Sequence, residues 1–325
     1  MKTEVLQADT PETATCAVEL LREGEAVALP TETVYGLAAD ALSDKAVLKI
    51  FQAKSRPRFD PLIVHLPDEN WIERVAIVDS SVEDKFARLR KQFWPGPLTF
   101  IFPRQPVISD VVTAGLDTVA IRFSSHPVFR KISAAFGRPL AAPSANRFGR
   151  LSPTAAEHVR AELDGLIPLI VDAGPTSHGL ESTIIALRNG RIEILRRGPI
   201  TEKQLSAFGE VVVIGATHHP EAPGQLPSHY APRTRLVLVE NAADFDSKSG
   251  QRLGLLSWRA KSDARFAAIR QLSERQDLVE AATNLFRLLR ELDACDLDLI
   301  VAEELPDEGL GAAINDRLSR ASSVN

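Results

Sequence analysis

Apolar and polar residues follow two rhythms along this chain, and the change from one rhythm to the other marks its elements. "EAVALP" is short and apolar and reads as a strand. "SDKAVLKIFQAKS" follows with Ala46, Val47, Ile50 and Phe51 on one helical face and Ser43 as N-cap, so a strand–turn–helix unit spans about residues 25 to 55. "SVEDKFARLRKQF" is a second amphipathic helix, "GPLTFIFP" and "TVAIRF" are strands, and "HPVFRKISAAFG" is a helix closed by Gly137. "RPLAAPSAN" is a strand entering a turn, "SPTAAEHVRAEL" a helix with Ser152 as N-cap and Pro153 at its first position, and "LIPLIVDAG" a buried strand. "STIIALRNGRIEILRRG" is a hairpin, because Asn189 and Gly190 tolerate the positive φ angles of a type I′ turn. Helices and strands are intermixed, which predicts a mixed rather than purely parallel sheet.

From about residue 206 to 233 the periodicity loosens into "ATHHPEAPGQLPSHYAPR", which reads as a linker. Beyond it "TRLVLVE", "RLGLLSW", "DLVEAATNLFRLLREL", "DLDLIVAEEL" and "GLGAAINDRLSRAS" give strand, strand, helix, strand, helix, the pattern of a small α/β domain. The expected organisation is a catalytic-sized domain at 1–205, a linker at 206–233 and a small domain at 234–325.

Composition narrows the function. A chain of 325 residues with 44% hydrophobic and 25% charged residues is long enough for two cores and ordinary for a globular protein. A net charge of −5 argues against binding nucleic acid through overall charge, although local basic patches remain open. Cys16 and Cys295 lie at opposite ends of the chain, so neither a disulfide framework nor a C-x-x-C site is indicated, and a reducing cytoplasm fits. No apolar run approaches a membrane span, and "KTEVLQADTPET" lacks the apolar core of a signal peptide. The seven histidines (65, 126, 158, 178, 218, 219 and 229) show no metal-binding spacing.

Five short stretches carry candidate chemistry. "PTETVYGL" places the hydroxyls of Thr31, Thr33 and Tyr35 beside Gly36, where backbone can approach a ligand. "AKSRPRFDPLIVH" sets Lys54, Arg56 and Arg58 just past a helix and His65 at a strand's end; Lys54 and Arg56 can clamp a polyphosphate, or serve as solvated cations at the helix's negative pole. In "TVAIRF", Thr118 and Arg122 share one strand face, and an inward Arg needs an anion, either a protein carboxylate or a ligand. "APSANRFGRLSPT" gathers Ser144, Asn146 and Ser152 ahead of a helix N-terminus, suited to phosphate. In the hairpin, Ser182 lies across from Arg196 and Arg197, which must face opposite sides. No Walker pattern is present, and "GLGAAIN" is a poor dinucleotide fingerprint because Ile314 stands in the third glycine's place, so helix capping reads better.

Taken in order, "PTETVYGL", "KSRP" with "PLIVH", "FWPGPLT", "AAPSAN", "ESTI" and "HYAP" resemble the YrdC-type domain of threonylcarbamoyl-adenylate synthases over about residues 10 to 205. The "HYAP" linker with "GLGAAINDRLSRA" resembles the longer two-domain members. The resemblance implies a twisted mixed α/β sheet with a concave pocket, plus a small C-terminal Rossmann-like α/β domain. It also implies a nucleotidyltransferase that makes L-threonylcarbamoyl-AMP and pyrophosphate from L-threonine, bicarbonate and ATP with Mg²⁺. That is the first step of N6-threonylcarbamoyladenosine formation in tRNA. By matching motif, Thr33, His65, Arg122, the Ala142 backbone and Ser182 look like the threonine site, with Arg122 on the substrate carboxylate. Lys54, Arg56, Asp60, Thr118, Ser144, Asn146, Ser152 and Arg196 look like the ATP site, closed by Tyr230. Of these, Lys54, Arg56, Ser144 and Asn146 would carry the catalysis. Mg²⁺ would be held mainly by phosphates and water, and the intermediate would pass to a downstream tRNA threonylcarbamoyltransferase, with at most a weak tRNA contact and no membrane.

Two positions depart from the family pattern. Asp60 stands where a neutral residue such as Asn is usual, and a carboxylate repels triphosphate unless Arg56, Arg58 or Mg²⁺ compensates. Gln225 stands where Met is common in the linker. Two other readings compete: an RNA-binding module using a concave basic surface, and a carbamoyl-adenylate step like that of hydrogenase-maturation relatives. The first is weakened by net charge and by the lack of clustered aromatics, the second by the missing zinc-finger cysteines and acylphosphatase segment.

Overall fold

The computed structural model describes residues 2–215, 221–226, 229–246, 250–259 and 262–323. Parts of the linker, including His218 and His219, lie outside the described residues. In chain order the first strands are β1 (Glu4–Gln7), β2 (Val27–Leu29), β3 (Gly36–Asp40), β4 (Ile63–His65), β5 (Leu98–Pro103) and β6 (Thr118–Arg122). They are followed by β7 (Leu140–Ala141), β8 (Leu169–Asp172), β9 (Thr183–Arg188), β10 (Arg191–Arg196) and β11 (Val211–Val213). Among the described residues these eleven form one mixed sheet in the order β1-β8-β2-β3-β7-β4-β6-β5-β9-β10-β11. The β9–β10 pair is the expected antiparallel hairpin, with φ of 51° at Asn189 and 76° at Gly190.

Register decides where the chemistry goes. His65 pairs with Arg122, and Arg122 with Thr99, so period-2 alternation sends Ile63, His65, Thr99, Ile101, Ala120 and Arg122 to one face. The opposite face, with Val64, Phe100 and Ile121, is sealed by Ala46, Val47 and Ile50 of the helix Asp44–Lys54 and by Phe86 and Leu89 of the helix Ser80–Phe93. Towards β2, β3, β7 and β8 the first face is covered by the helices Pro11–Arg22 and Pro127–Phe136, while over β4, β5, β6 and β9 it carries a small apolar cluster in which Ala222 of the linker covers Ile63, Ile101, Ala120 and Ile184. This second part of the face is therefore roofed by the linker, and polar side chains projecting from it meet the roof.

The second domain has β12 (Leu236–Val239), β13 (Leu253–Ser257), β14 (Phe266–Gln271) and β15 (Leu299–Glu303), a parallel sheet in the order β12-β15-β13-β14. The helices Leu278–Asp293 and Gly309–Ser322 pack on it in a core that also takes in Val34, Leu151, Leu180 and Tyr230. The two domains thus share apolar contacts directly, through Val34, Leu151 and Leu180, as well as through Tyr230 of the linker. Among the described residues no helix is long and apolar enough to cross a membrane.

Several expectations need correction. The helix after "SPT" begins at Ala156, with Ala155 extended as an N-cap lacking a side-chain bond, so Ser152 is not its cap. Ser152 instead donates to Glu181, and the Pro153 carbonyl accepts from the Tyr35 amide at 2.9 Å, which holds this stretch extended. Four strands went unread: β1, β3, β11 and β14. β11 lies inside the stretch read as linker and extends the large sheet alongside β10. "GLGAAIN" is not built for capping either. Its helix starts after Glu308, which makes no side-chain cap, and a Cβ at Gly311 would fall 2.0 Å from the Pro306 carbonyl oxygen, so the glycine permits close approach.

Candidate active site

Between the sheet face and the linker lies a narrow pocket of about 50 Å³. Its lining includes Thr33, Arg56, Asp60, His65, Arg122, Ala142, Ser144, Arg196 and Tyr230, nine of the residues singled out from sequence. Lys54, Asn146, Ser152 and Ser182 sit just behind that wall, all buried. Thr118 is placed elsewhere. It is four residues and so about 13 Å along β6 from Arg122, and it lines a separate cavity with Ile77, Ile101 and Arg188.

At one end of the pocket, β6 delivers Arg122 and β4 delivers His65. Arg122 Nη2 lies 2.7 Å from Glu32 Oε1 and donates to Thr33 Oγ1 at 2.9 Å, while Ser124 donates to the other Glu32 oxygen. The anion expected beside Arg122 is thus already supplied by a protein carboxylate. Burial pushes the Glu32 carboxyl up, but Arg122 and the Ser124 hydroxyl outweigh it and hold it at about 2, so the pair is ionised. Arg122 Nε remains buried without a hydrogen-bond partner. His65 is also buried, packs 4.8 Å from the Phe129 ring, and has an unpartnered Nδ1. Burial and the Arg122 charge push its pKa down to about 3, so the ring is neutral.

At the other end, cations accumulate. Lys54 closes its helix facing inward rather than solvated, and donates to the Ser144 and Asn146 carbonyls at 2.5 Å each. Its amine is fully desolvated beside Arg56, which moves its pKa well down. Lys54 therefore shapes the "APSAN" loop and does not itself line the pocket. The Asn146 amide nitrogen donates to the Arg147 and Arg150 carbonyls, leaving Oδ1 buried and unpartnered.

Arg56 donates to the Asp60 and Pro61 carbonyls at 3.2 and 2.9 Å and lies 2.8 Å from Asp60 Oδ2. That short approach is an ion pair without hydrogen-bond alignment, so both Asp60 oxygens stay buried with no donor. Burial pushes the Asp60 carboxyl up despite Arg56 and Lys54 nearby. Arg58, by contrast, is exposed.

The hairpin supplies the third wall. Arg196 points inward and donates to the Ser182 carbonyl, the Ser182 hydroxyl and the Pro223 carbonyl, at 3.0, 3.0 and 3.2 Å. Arg197 faces the other way and pairs with exposed Glu202, as alternation requires. Ser182 also shares a hydrogen bond with Thr99 at 2.8 Å, so it reaches the pocket only through Arg196. Above them Tyr230 adopts a φ of 63°, with its ring 4.2 Å from that of His229.

Reading the sequence missed Glu32, Glu181, His229 and Arg317 as parts of this assembly. For Arg317 alone the signal was a charge on an apolar pattern. Glu32 and Glu181 sit inside the quoted motifs with buried neighbours on both sides. Arg317 occupies the apolar stripe of its helix with Ile314, Leu318 and Ala321.

Comparison with known proteins places these residues in a lineage. Residues 19–198 match the family model Sua5_yciO_yrdC, described as Telomere recombination. Residues 200–323 match the Threonylcarbamoyl-AMP synthase C-terminal domain. The chain is similar to the Threonylcarbamoyl-AMP synthase of Bacillus subtilis, at 41% identity over 98% of this chain and 95% of that protein. It is similar to the protein of that name from Pyrococcus abyssi, at 38% identity over 94% and 93%. Its fold superposes on the crystal structure of P. abyssi Sua5 complexed with L-threonine with a TM-score of 0.91, at 36% identity and covering 99% and 98% of the two chains. With both of its domains matched and relatives aligned nearly end to end, this chain belongs to the threonylcarbamoyl-AMP synthase family.

Proposed function

We propose that the chain converts L-threonine, bicarbonate and ATP into L-threonylcarbamoyl-AMP and pyrophosphate, supplying the activated carbamoyl group for N6-threonylcarbamoyladenosine in tRNA. The observation that carries this reading is one pocket with two unlike ends. One has a free buried Arg122 Nε beside Thr33 and neutral His65, and the other has Arg56 and Arg196 beside Ser144. The first suits an amino-acid carboxylate and hydroxyl, the second a triphosphate.

In this reaction bicarbonate takes up a proton and loses water to give CO2, and the threonine amine adds to that carbon, forming a C–N bond and releasing a proton to give a carbamate. A carbamate oxygen then attacks the α-phosphorus of ATP, forming the mixed anhydride while the bond to pyrophosphate breaks. Negative charge gathers at that phosphorus, so fixed guanidinium groups in a water-poor site lower the barrier. Arg122 holds the threonine carboxylate through Nε, because Glu32 and Thr33 already occupy Nη2. Arg56 and Arg196 face the phosphates, with Ser144 and Asn146 completing the loop that Lys54 braces; Ser152 supports the nucleotide end from behind through Glu181, whereas Thr118 lines the separate cavity and is left out of the set. Arg196 gives up its carbonyl partners as phosphate arrives.

Asp60 is the carboxylate of this pocket with free oxygens, since Glu181 is engaged by Ser152 and Arg317. One carboxylate is no cage for a hard ion such as Mg²⁺, which needs about six oxygens, so it fits here as a companion of phosphate and water. When bound it neutralises phosphate charge. The intermediate then leaves for a tRNA threonylcarbamoyltransferase.

The test is pyrophosphate release from ATP, omitting L-threonine and bicarbonate in turn. Release should require both, and release that is unchanged without threonine overturns the reading.

A further inference from the structure

The roof of the pocket belongs to the linker, but it is held from the second domain. Arg317, on the helix Gly309–Ser322, is only 1% exposed, although it carries a full charge. Its Nε donates to Glu181 Oε2 at 3.0 Å, its Nη2 to the Arg197 carbonyl at 2.8 Å, and its Nη1 to Asp316 at 2.8 Å. The guanidinium also lies 5.2 Å from the centre of the Tyr230 ring. The second Glu181 oxygen accepts from Ser152, so one carboxylate joins the catalytic wall to the second domain. One turn further along the helix, Arg320 donates to the Leu226 carbonyl, and its own carbonyl accepts from the His229 amide at 3.4 Å.

The roof has little slack. A Cβ at Gly224 would fall 2.8 Å from the Tyr230 hydroxyl and 2.9 Å from Arg196 Cδ. With the roof seated this way the pocket encloses about 50 Å³, whereas ligand pockets for molecules the size of a nucleotide occupy about 300 Å³ or more. A nucleotide passes only if Tyr230 and its neighbours move away from Arg317. A planar guanidinium suits the task because one group forks its donors to Glu181, Asp316 and the Arg197 carbonyl while lying against an aromatic face.

We propose that Arg317 is a positioning residue through which the second domain holds the roof closed, and that it sets how fast nucleotide leaves the pocket. The second half of the proposal rests on the pocket being a nucleotide site.

The experiment uses the full chain and three variants. Arg317→Met removes the guanidinium, and Arg317→Lys keeps the charge but not the fork. Glu181→Gln with Arg317→Met removes both buried charges together, so that neither is left uncompensated, while the amide oxygen still accepts from Ser152. Dissociation of N-methylanthraniloyl-labelled ATP is followed by stopped flow during a chase with unlabelled ATP. Amide hydrogen exchange is read in peptides covering the linker and, as a control, β13 and β15. The expected result is release at least about tenfold faster in all three variants, with faster linker exchange and unchanged protection in the control strands. Linker exchange equal to wild type in variants with protected control strands overturns the proposal. Faster linker exchange with release within about twofold of wild type overturns its second half. If the wild-type chain binds no labelled ATP, the nucleotide reading fails, and linker exchange alone still decides whether Arg317 holds the roof.

Discussion

The two ends of the pocket meet the same problem, buried positive charge, in opposite ways. At the Arg122 end the protein supplies its own full counter-charge. Glu32 is aligned, hydrogen-bonded by Ser124 and ionised, and the arginine's Nε is left buried without a protein partner. At the Arg56 end, Lys54, Arg56 and Arg196 surround Asp60, whose oxygens receive no hydrogen bond, while the pocket's other carboxylate, Glu181, is engaged by Ser152 and Arg317. The first end is pre-organised for an exchange of partners within a neutral set, while the second holds excess positive charge and gains most from a polyanion. On the proposed reading, that contrast would let one pocket take an amino acid at one end and a triphosphate at the other.

The largest test separates the ends kinetically. Arg122→Ala and Arg56→Ala should each lower turnover by about a hundredfold or more, since each removes a charged donor from a desolvated site. The first should mainly raise the L-threonine concentration needed for half-maximal rate, the second the ATP concentration. Steady-state kinetics on variants whose melting transitions remain cooperative decides this, and wild-type rates in either variant remove that residue from the mechanism.

A second test concerns the balanced end. Glu32→Gln leaves Arg122 buried with no counter-charge, which should cost about 3–5 kcal/mol of stability in urea unfolding. Glu32→Gln combined with Arg122→Met should recover most of that loss, because both charges are then gone. If the double variant is no more stable than the single, the pair is not coupled as its geometry requires.

How much of this arrangement was readable depended on whether a residue's role was local. Ser43 caps its helix, Asn189 and Gly190 turn the hairpin, and Arg196 and Arg197 take opposite faces, all as local rules require. β3 was invisible because all five of its residues are buried, so no alternation marks it, and its "GLAAD" is poor in strand formers. Ser152 was misread because its partner, Glu181, is 29 residues away. The same distance problem hid Arg122's partner, 90 residues back in the chain. Sequence pattern could require an anion for Arg122 but could not choose between a protein carboxylate and a ligand.

Acid should act on both ends of the pocket through their buried neutral histidines, His65 at one and His229 at the other. His65 is neutral in the fold, with its pKa pushed to about 3 from an ordinary 6.5, so below 6.5 the unfolded chain takes up the proton first. Its contribution to stability is present above 6.5 and is lost as pH falls from 6.5 towards 3. Glu32 is held at about 2 against an ordinary 4.5, so its contribution is present above 4.5 and is lost between 4.5 and 2. Each group should add a slope of about 1.4 kcal/mol per pH unit inside its window. His126, His158, His178 and His229 are also pushed down by burial and share the upper window. Unfolding free energies of the His65→Gln variant between pH 6.5 and 4.5 should therefore fall less steeply than wild type by one group's share; equal slopes would place the His65 proton uptake elsewhere.

The smallest effect is the most informative about the unbalanced end. Asp60→Asn removes the negative charge beside Arg56 and releases Arg56 from its ion pair, and on the proposed reading both changes favour nucleotide. For a separation of about 8 Å and an effective dielectric near 40, one unit charge is worth about 1 kcal/mol, or about fivefold in ATP affinity. Stability should move the other way, because buried Arg56 loses its counter-charge. Titration calorimetry with ATP and thermal unfolding on the same preparation therefore have opposite expected signs: tighter binding with a lower melting temperature. Weaker binding would mean that the unpartnered Asp60 oxygens receive a donor or Mg²⁺ from the nucleotide complex, making Asp60 a contact of the substrate rather than its opponent.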